Sequence, residues 1–235
     1  MIEIKNVTKK YGDKIAIKDI SFDIKDGEIF GFIGHNGAGK TTMIKSLVGI
    51  LGFEDGDILI NNKSIKKDPI ACKLQMAYVP DNPDLYENMT AIDFINFICD
   101  MYDTDLETRK ENIEKYSKMF EIENNLNDDI SSFSHGMKQK VALIAALSHN
   151  PNVLIMDEPF VGLDPKAVFD IKNIMKKMAK EGKTIFFSTH ILDVAEKLCD
   201  RVAIIKNGKI VKIGEMKEIK GDVSLEEVFL ELGEK

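Results

Sequence analysis

The sequence predicts an α/β fold with a mixed, mainly parallel core sheet, an N-terminal antiparallel β-subdomain and an inserted helical subdomain. Three observations predict it. Residues 2–8 and 15–24 alternate apolar and polar, the pattern of half-buried antiparallel strands. Residues 90–150 hold three helical segments with no strand between them. On either side, short continuous apolar runs alternate with amphipathic helices, as in a parallel sheet. The 235 residues suit one domain, with 1–89 and 151–235 as core and 90–150 as the helical subdomain.

Taken in order, Ile15, Ile17, Ile20, Phe22 and Ile24 suggest a half-buried second strand, after a turn at Tyr11-Gly12-Asp13. Asp26-Gly27 turns into a buried strand over 28–33, and an amphipathic helix follows over 43–51. Residues 58–60 form a short strand ending at Asn61-Asn62, and 76–79 form another, stopped by Pro80 and Pro83. The helical segments are 91–101, 106–120 and 137–148. Residues 153–156 read as a central parallel strand, 165–180 as a helix with proline in its first turn, and 184–188 as a further buried strand. A short helix covers 191–198. The strands 202–205 and 209–213 flank Asn207-Gly208, a hairpin signal. Ser224 and Glu227 are spaced as a capping box for a last helix.

The chemistry centres on Gly34-His35-Asn36-Gly37-Ala38-Gly39-Lys40-Thr41-Thr42, between the 28–33 strand and the 43–51 helix. Strand, glycine loop and helix form the context in which this pattern binds phosphate. Glycines let backbone N–H groups wrap an anion, and the helix start adds unpaired donors. Lys40 supplies a cation for the β- and γ-phosphates, and the Thr41 hydroxyl is placed to ligate Mg²⁺. A phosphate-loop NTPase core binding a nucleoside triphosphate is therefore expected. Asp157 and Glu158 end the 153–156 strand. The first suits Mg²⁺ and the second suits polarising a water for attack on the γ-phosphate. His190 ends another core strand, where open α/β sheets bind ligands, and reads as a γ-phosphate contact. Ser134-His135-Gly136-Met137 opens a helix. Plain capping and anion binding are both open readings of it.

Composition narrows the function classes. No apolar run reaches the roughly 18 residues that span a bilayer. The start lacks a secretory pattern, so a cytoplasmic protein is expected, with any membrane role exercised through a partner. Cys72, Cys99 and Cys199, like the four histidines, are too scattered for a metal cluster and read as reduced thiols. A formal charge of −7 argues against nucleic-acid binding.

With these motifs in place, the chain resembles the ATP-binding subunits of ATP-binding cassette (ABC) transporters over essentially its whole length. The resemblance implies that Tyr11 stacks on adenine, that Gly34 to Thr42 hold the phosphates, and that Ser134-His135-Gly136-Met137 are the signature motif. It implies that Met156-Asp157-Glu158-Pro159 carry the catalytic glutamate, that Val161-Gly162-Leu163-Asp164 are the D-loop and that His190 is the switch histidine. It further implies a head-to-tail dimer, homo- or heteromeric, in which one subunit's signature closes over the other's ATP. The partner implied is a separate membrane permease, which makes the ATPase peripheral on the inner membrane face. Two departures stand out. Asp81 occupies the position of a usual glutamine that contacts the metal, and His135 and Met137 replace a glycine and a glutamine of the signature. The signature and the 224–230 ending are similar to those of drug and antibiotic exporters, so export is expected over import. A soluble ABC ATPase acting on ribosomes or DNA is the alternative. The single cassette and the absence of sustained heptads speak against it.

Overall fold

Four phenylalanines show how the layers meet. Phe22 stacks on Phe30 with ring centroids 5.1 Å apart and lies 5.8 Å from Phe32 and 6.2 Å from Phe186. Phe22 belongs to an antiparallel sheet, and the other three belong to a second, mainly parallel sheet. These contacts come from a computed structural model, which describes residues 1–233.

The chain runs β1 (Ile2–Tyr11), β2 (Lys14–Ile24), β3 (Ile29–Ile33), α1 (Lys40–Leu47), β4 (Asp55–Ile60), β5 (Lys63–Ser64), α2 (Pro69–Lys73) and β6 (Met76–Val79). Helices α3 (Ala91–Met101), α4 (Leu106–Met119) and α5 (His135–Ser148) follow. Then come β7 (Val153–Asp157), α6 (Pro165–Lys180), β8 (Thr184–Thr189), α7 (Leu192–Leu198), β9 (Arg201–Lys206), β10 (Lys209–Glu215), α8 (Met216–Lys220) and α9 (Leu225–Gly233). The antiparallel sheet has the order β2-β1-β4-β5, and the larger sheet the order β10-β9-β3-β8-β7-β6. Pairing is parallel from β9 through β6, and only the β9–β10 hairpin is antiparallel.

The central strands β3, β7 and β8 are buried along their whole length. Their side chains alternate between two cores, because successive residues point to opposite faces. Phe30, Phe32, Val153, Ile155 and Phe186 pack with α1 and the antiparallel sheet. Ile29, Ile33, Leu154, Met156, Ile185 and Phe187 pack with α5, α6 and α7. Capping fixes the helix starts. Thr90, Asp105, Ser134 and Asp164 each accept a hydrogen bond from the backbone N–H three residues on. All three cysteines are buried free thiols.

Several boundaries differ from the sequence reading. The helix expected at 43–51 starts at Lys40 and ends at Leu47, where Gly49 takes a positive φ of 68°. The helix expected at 137 starts at His135, which puts the first turn of α5 inside the Ser134 to Met137 segment. β5, α2 and α8 carry too few residues to show a period, and the sequence reading has no element there.

The end of α5 makes one pH-sensitive contact. The His149 ring stacks on Tyr102 with centroids 3.7 Å apart. Burial pushes its imidazole down to about 4, and the positive charge of Lys183 adds to this against an opposing backbone hydrogen bond. A folded-state value below the unfolded one means that stability is complete above about pH 6.5 and is lost as pH falls toward 4. The slope contributed is at most about 1.4 kcal/mol per pH unit. Urea melts at pH 7 and pH 5 are expected to show His149→Phe, which keeps a stacking ring, losing less stability than the wild type. An equal loss would contradict this.

Candidate functional site

The loop from Gly34 to Gly39 is shaped by close backbone approach. A Cβ at Gly34 would lie 2.6 Å from Ile205 O, and one at Gly39 would lie 2.9 Å from Ala16 O. Gly39 also has φ +113°, so a side chain is excluded twice over. The tip of the β9–β10 hairpin braces the loop from behind. Gly208 N donates to Ala38 O at 2.9 Å, while Gly208 O accepts from Lys18 N at 2.8 Å. The loop is thus fixed by β2 and β9. Ala38 N donates within it to His35 O at 3.1 Å, and the N–H groups opening α1 are left for a ligand.

Lys40 folds back over this loop. It is only 6% exposed. Its Nζ donates to Gly34 O at 2.7 Å and to His35 O at 3.3 Å. It also lies 3.1 Å from Glu158 Oε1, an ion-pair distance without hydrogen-bond alignment. Glu158 follows β7 in a left-handed conformation, φ +48°. Such a residue costs about 1–3 kcal/mol of strain and persists only where its surroundings hold it. Here His190 Nδ1 lies 3.0 Å from Glu158 Oε2, and His190 N donates to the same oxygen at 3.3 Å. The buried Ser188 completes the hold. Glu158 N donates to both its carbonyl (3.2 Å) and its hydroxyl (3.1 Å), and that hydroxyl donates to Asp157 Oδ1 at 2.5 Å.

A cleft of about 490 Å³ opens over these groups. Asn36, Gly37, Gly39, Lys40, Thr41 and Thr42 line its base, Asp81 and Glu158 one side, and Tyr11 another. Tyr11 is half exposed, with Lys9 Nζ 5.7 Å from its ring centroid. The sequence reading missed Lys14, Ile15, Ala16, Asn207 and Gly208, which complete the wall. The only signal was the Asn207-Gly208 turn, and nothing local says where a turn packs. His35 goes the other way: its ring packs on Phe229 of α9, with centroids 4.5 Å apart, and only its backbone serves the phosphate loop. Gly34 and Ala38 likewise act as buried backbone.

Burial raises the Asp81 carboxyl above its ordinary value. The charges of Asp157 and Glu158 push the same way, while His135 and His190 oppose them. Burial, then Asp157 and Asp81, likewise raise the Tyr78 phenol. This end of the sheet thus crowds carboxylates around one ammonium. The surplus of hard oxygen donors, with the Thr41 hydroxyl, suits Mg²⁺. Among the described residues no cluster of three His, Cys, Asp or Glu would hold a metal unaided.

Two expected groups lie outside the cleft. Ser134 and His135 are exposed, with Gly136 and Met137 half-buried, and the Ser134 hydroxyl accepts from Met137 N at 3.3 Å. Asp164 caps α6 and pairs with Lys140 of α5 at 2.7 Å. The two groups adjoin each other. A Cβ on Gly136 would lie 2.8 Å from Gly162 O.

Comparison with known proteins agrees with this geometry. The family model described as ABC transporter matches residues 17–161. The linearmycin resistance ATP-binding protein LnrL of Bacillus subtilis is 36% identical, over 91% of this chain and 69% of its own length. The methionine import ATP-binding protein MetN of Clostridioides difficile is 34% identical, over 93% and 70%. A solved structure of an ATP-binding subunit of an ABC transporter superposes with a TM-score of 0.96 at 33% identity, covering 99% of both chains. A dimeric ATP-binding cassette in a post-hydrolysis state, bound to ADP and Pi, superposes with a TM-score of 0.83 at 27% identity, over 92% of this chain and 99% of its own. The chain belongs to the family of ABC transporter ATP-binding proteins and is one of its ATPases.

Proposed function

We propose that the chain powers a separate membrane permease, as an exporter, through ATP-driven closure of two ATPase subunits. The observation that carries this reading is the convergence of Lys40, Asp81, Glu158 and His190 around the phosphate loop, while Ser134, His135 and Asp164 are exposed outside the cleft. In this reading, groups of the second kind meet an ATP held by another subunit. Similarity to a resistance protein and to the signature of exporters supports export, although an importer is among the relatives.

In this reading Tyr11 stacks on the base, and loop N–H groups with Lys40 hold the β- and γ-phosphates. Thr41, Asp157 and Asp81 hold Mg²⁺, which when bound offsets the charge that builds on the phosphates. Glu158 takes a proton from the water whose oxygen bonds to the γ-phosphorus, as the bond to the β-phosphate oxygen breaks. His190 keeps that carboxylate aimed. No described helix is long and apolar enough to cross a membrane, and the permease is proposed here as a separate chain. Residues 90–150, with the loop 81–90, are the proposed docking surface. Tyr86, Met101 and Leu106 are each more than half exposed there. No nucleic acid is expected.

Lys40→Ala removes the cation and is expected to weaken binding of a fluorescent ATP analogue about 10- to 100-fold, the worth of a charge-assisted hydrogen bond. Unchanged affinity would sink the phosphate-loop assignment. Glu158→Gln should bind ATP, lose about 10²–10⁴ in hydrolysis, and run as a dimer on size-exclusion chromatography with light scattering in the presence of MgATP. A monomer that binds ATP would contradict self-closure. Cysteines at Glu87 or Asn88 should crosslink to the permease, whereas crosslinking only from 165–180 would place the docking surface elsewhere.

A further inference from the structure

Ser188 has no part in the motifs of the sequence, yet it touches both Asp157 and Glu158. It is fully buried on β8, directly opposite Asp157 in the parallel register. Its hydroxyl has one proton and two lone pairs. The proton goes to Asp157 Oδ1 at 2.5 Å, and a lone pair receives Glu158 N–H at 3.1 Å. The carbonyl of Ser188 receives the same N–H at 3.2 Å. The ordinary explanation of a buried serine is that its hydroxyl merely satisfies itself on the nearest carbonyl. This hydroxyl instead bridges two consecutive residues of a neighbouring strand end.

We infer that Ser188 is a positioning residue, whose hydroxyl orients Asp157 toward Mg²⁺ and holds Glu158 in its left-handed turn. This rests on the roles proposed above for Asp157 and Glu158. The physical argument is one of freedom. Asp157 is 1% exposed, so no bulk water replaces the lost donor if the hydroxyl is removed. Its carboxylate can then rotate away from the direction that a metal requires. The backbone of Glu158, strained at φ +48°, loses one of the two acceptors for its N–H. Both effects fall on metal binding and on the aim of the base, whereas the phosphate loop is untouched. Groups that orient metal ligands typically contribute about 10- to 100-fold in metal affinity or activity.

The test compares Ser188→Ala, Ser188→Thr and Glu158→Gln with the wild type. Binding of a fluorescent ATP analogue is measured in EDTA and then during Mg²⁺ titration, alongside steady-state hydrolysis. Ser188→Ala should keep its EDTA affinity within about twofold, because Lys40 and the loop do the binding there. It should need about 10- to 100-fold more Mg²⁺ for the same response and lose kcat by a similar factor. Ser188→Thr, which keeps the hydroxyl on a β-branched residue suited to a strand, should recover most of both. Wild-type Mg²⁺ response and kcat in Ser188→Ala would overturn the inference. So would an equal loss of affinity in EDTA, or no recovery in Ser188→Thr, since either marks general damage. If Ser188→Ala does not fold, Ser188→Cys, of similar size and a weak donor, takes its place under the same criteria. Wild-type hydrolysis by Glu158→Gln would instead sink the underlying assignment of the base.

Discussion

The structure depends on keeping one ammonium, Lys40, buried at the carboxyl end of a parallel sheet. A buried cation is costly unless it is paired and hydrogen-bonded. Gly34 O, His35 O and Glu158 meet that need here. Each partner comes from a different constraint. The carbonyls are available because the glycine loop curls over the lysine. Glu158 is available because β7 ends at the same height as β3. The strand order makes this geometric: β3, β8, β7 and β6 are neighbours and all parallel. Their carboxyl ends therefore present the phosphate loop, His190, Asp157-Glu158 and Asp81 in one row, each a strand spacing of about 4.8 Å from the next. A ligand with several negative oxygens fits such a row, as the rule for open α/β sheets requires.

In the proposed mechanism Glu158 competes with that ligand for Lys40. A phosphate that draws on Lys40 must share it with, or take it from, Glu158 Oε1. An oxygen held by an ammonium is poorly placed to receive a proton from water. Under the proposed mechanism the substrate's own charge then releases the base that will act on it. His190 keeps the other oxygen in place throughout, through both its ring and its backbone N–H. The strained turn at Glu158 accompanies a carboxylate that lines the cleft and is held there by its neighbours.

Much of this was legible in the sequence because the chemistry is local. A glycine loop between a buried strand and a helix needs no tertiary information, and neither does a carboxylate or a histidine at the end of an apolar run. What stayed hidden was set by contacts between distant segments. Ala16 and Gly208 wall the cleft because β2 and the β9–β10 turn meet there. Ser188 matters because it stands opposite Asp157 in the register, a relation across 31 residues. His35 lies within the phosphate motif, but the motif fixes its backbone only, and the ring settles on Phe229. α2 and α8, with five residues each, are too short for a hydrophobic period to emerge.

The outward-facing motifs connect to the same row. Val161 N donates to Glu158 O at 3.2 Å, so the segment after the carboxylate begins as a tight turn. That turn leads to Gly162, where φ is +78° and an added Cβ would come within 2.7 Å of His135 Cδ2. A Cβ added at Gly136 would lie 2.8 Å from Gly162 O. Neither position has room for a side chain, so the two backbones pack closely and a shift of one bears on the other. Lys140 and Asp164 tie the two helix starts together a turn further on. The start of α5 and the loop before α6 therefore form one unit, four residues from Glu158. Whatever engages Ser134 and Asp164 from outside presses on a segment whose other end carries the carboxylate aimed at the cleft.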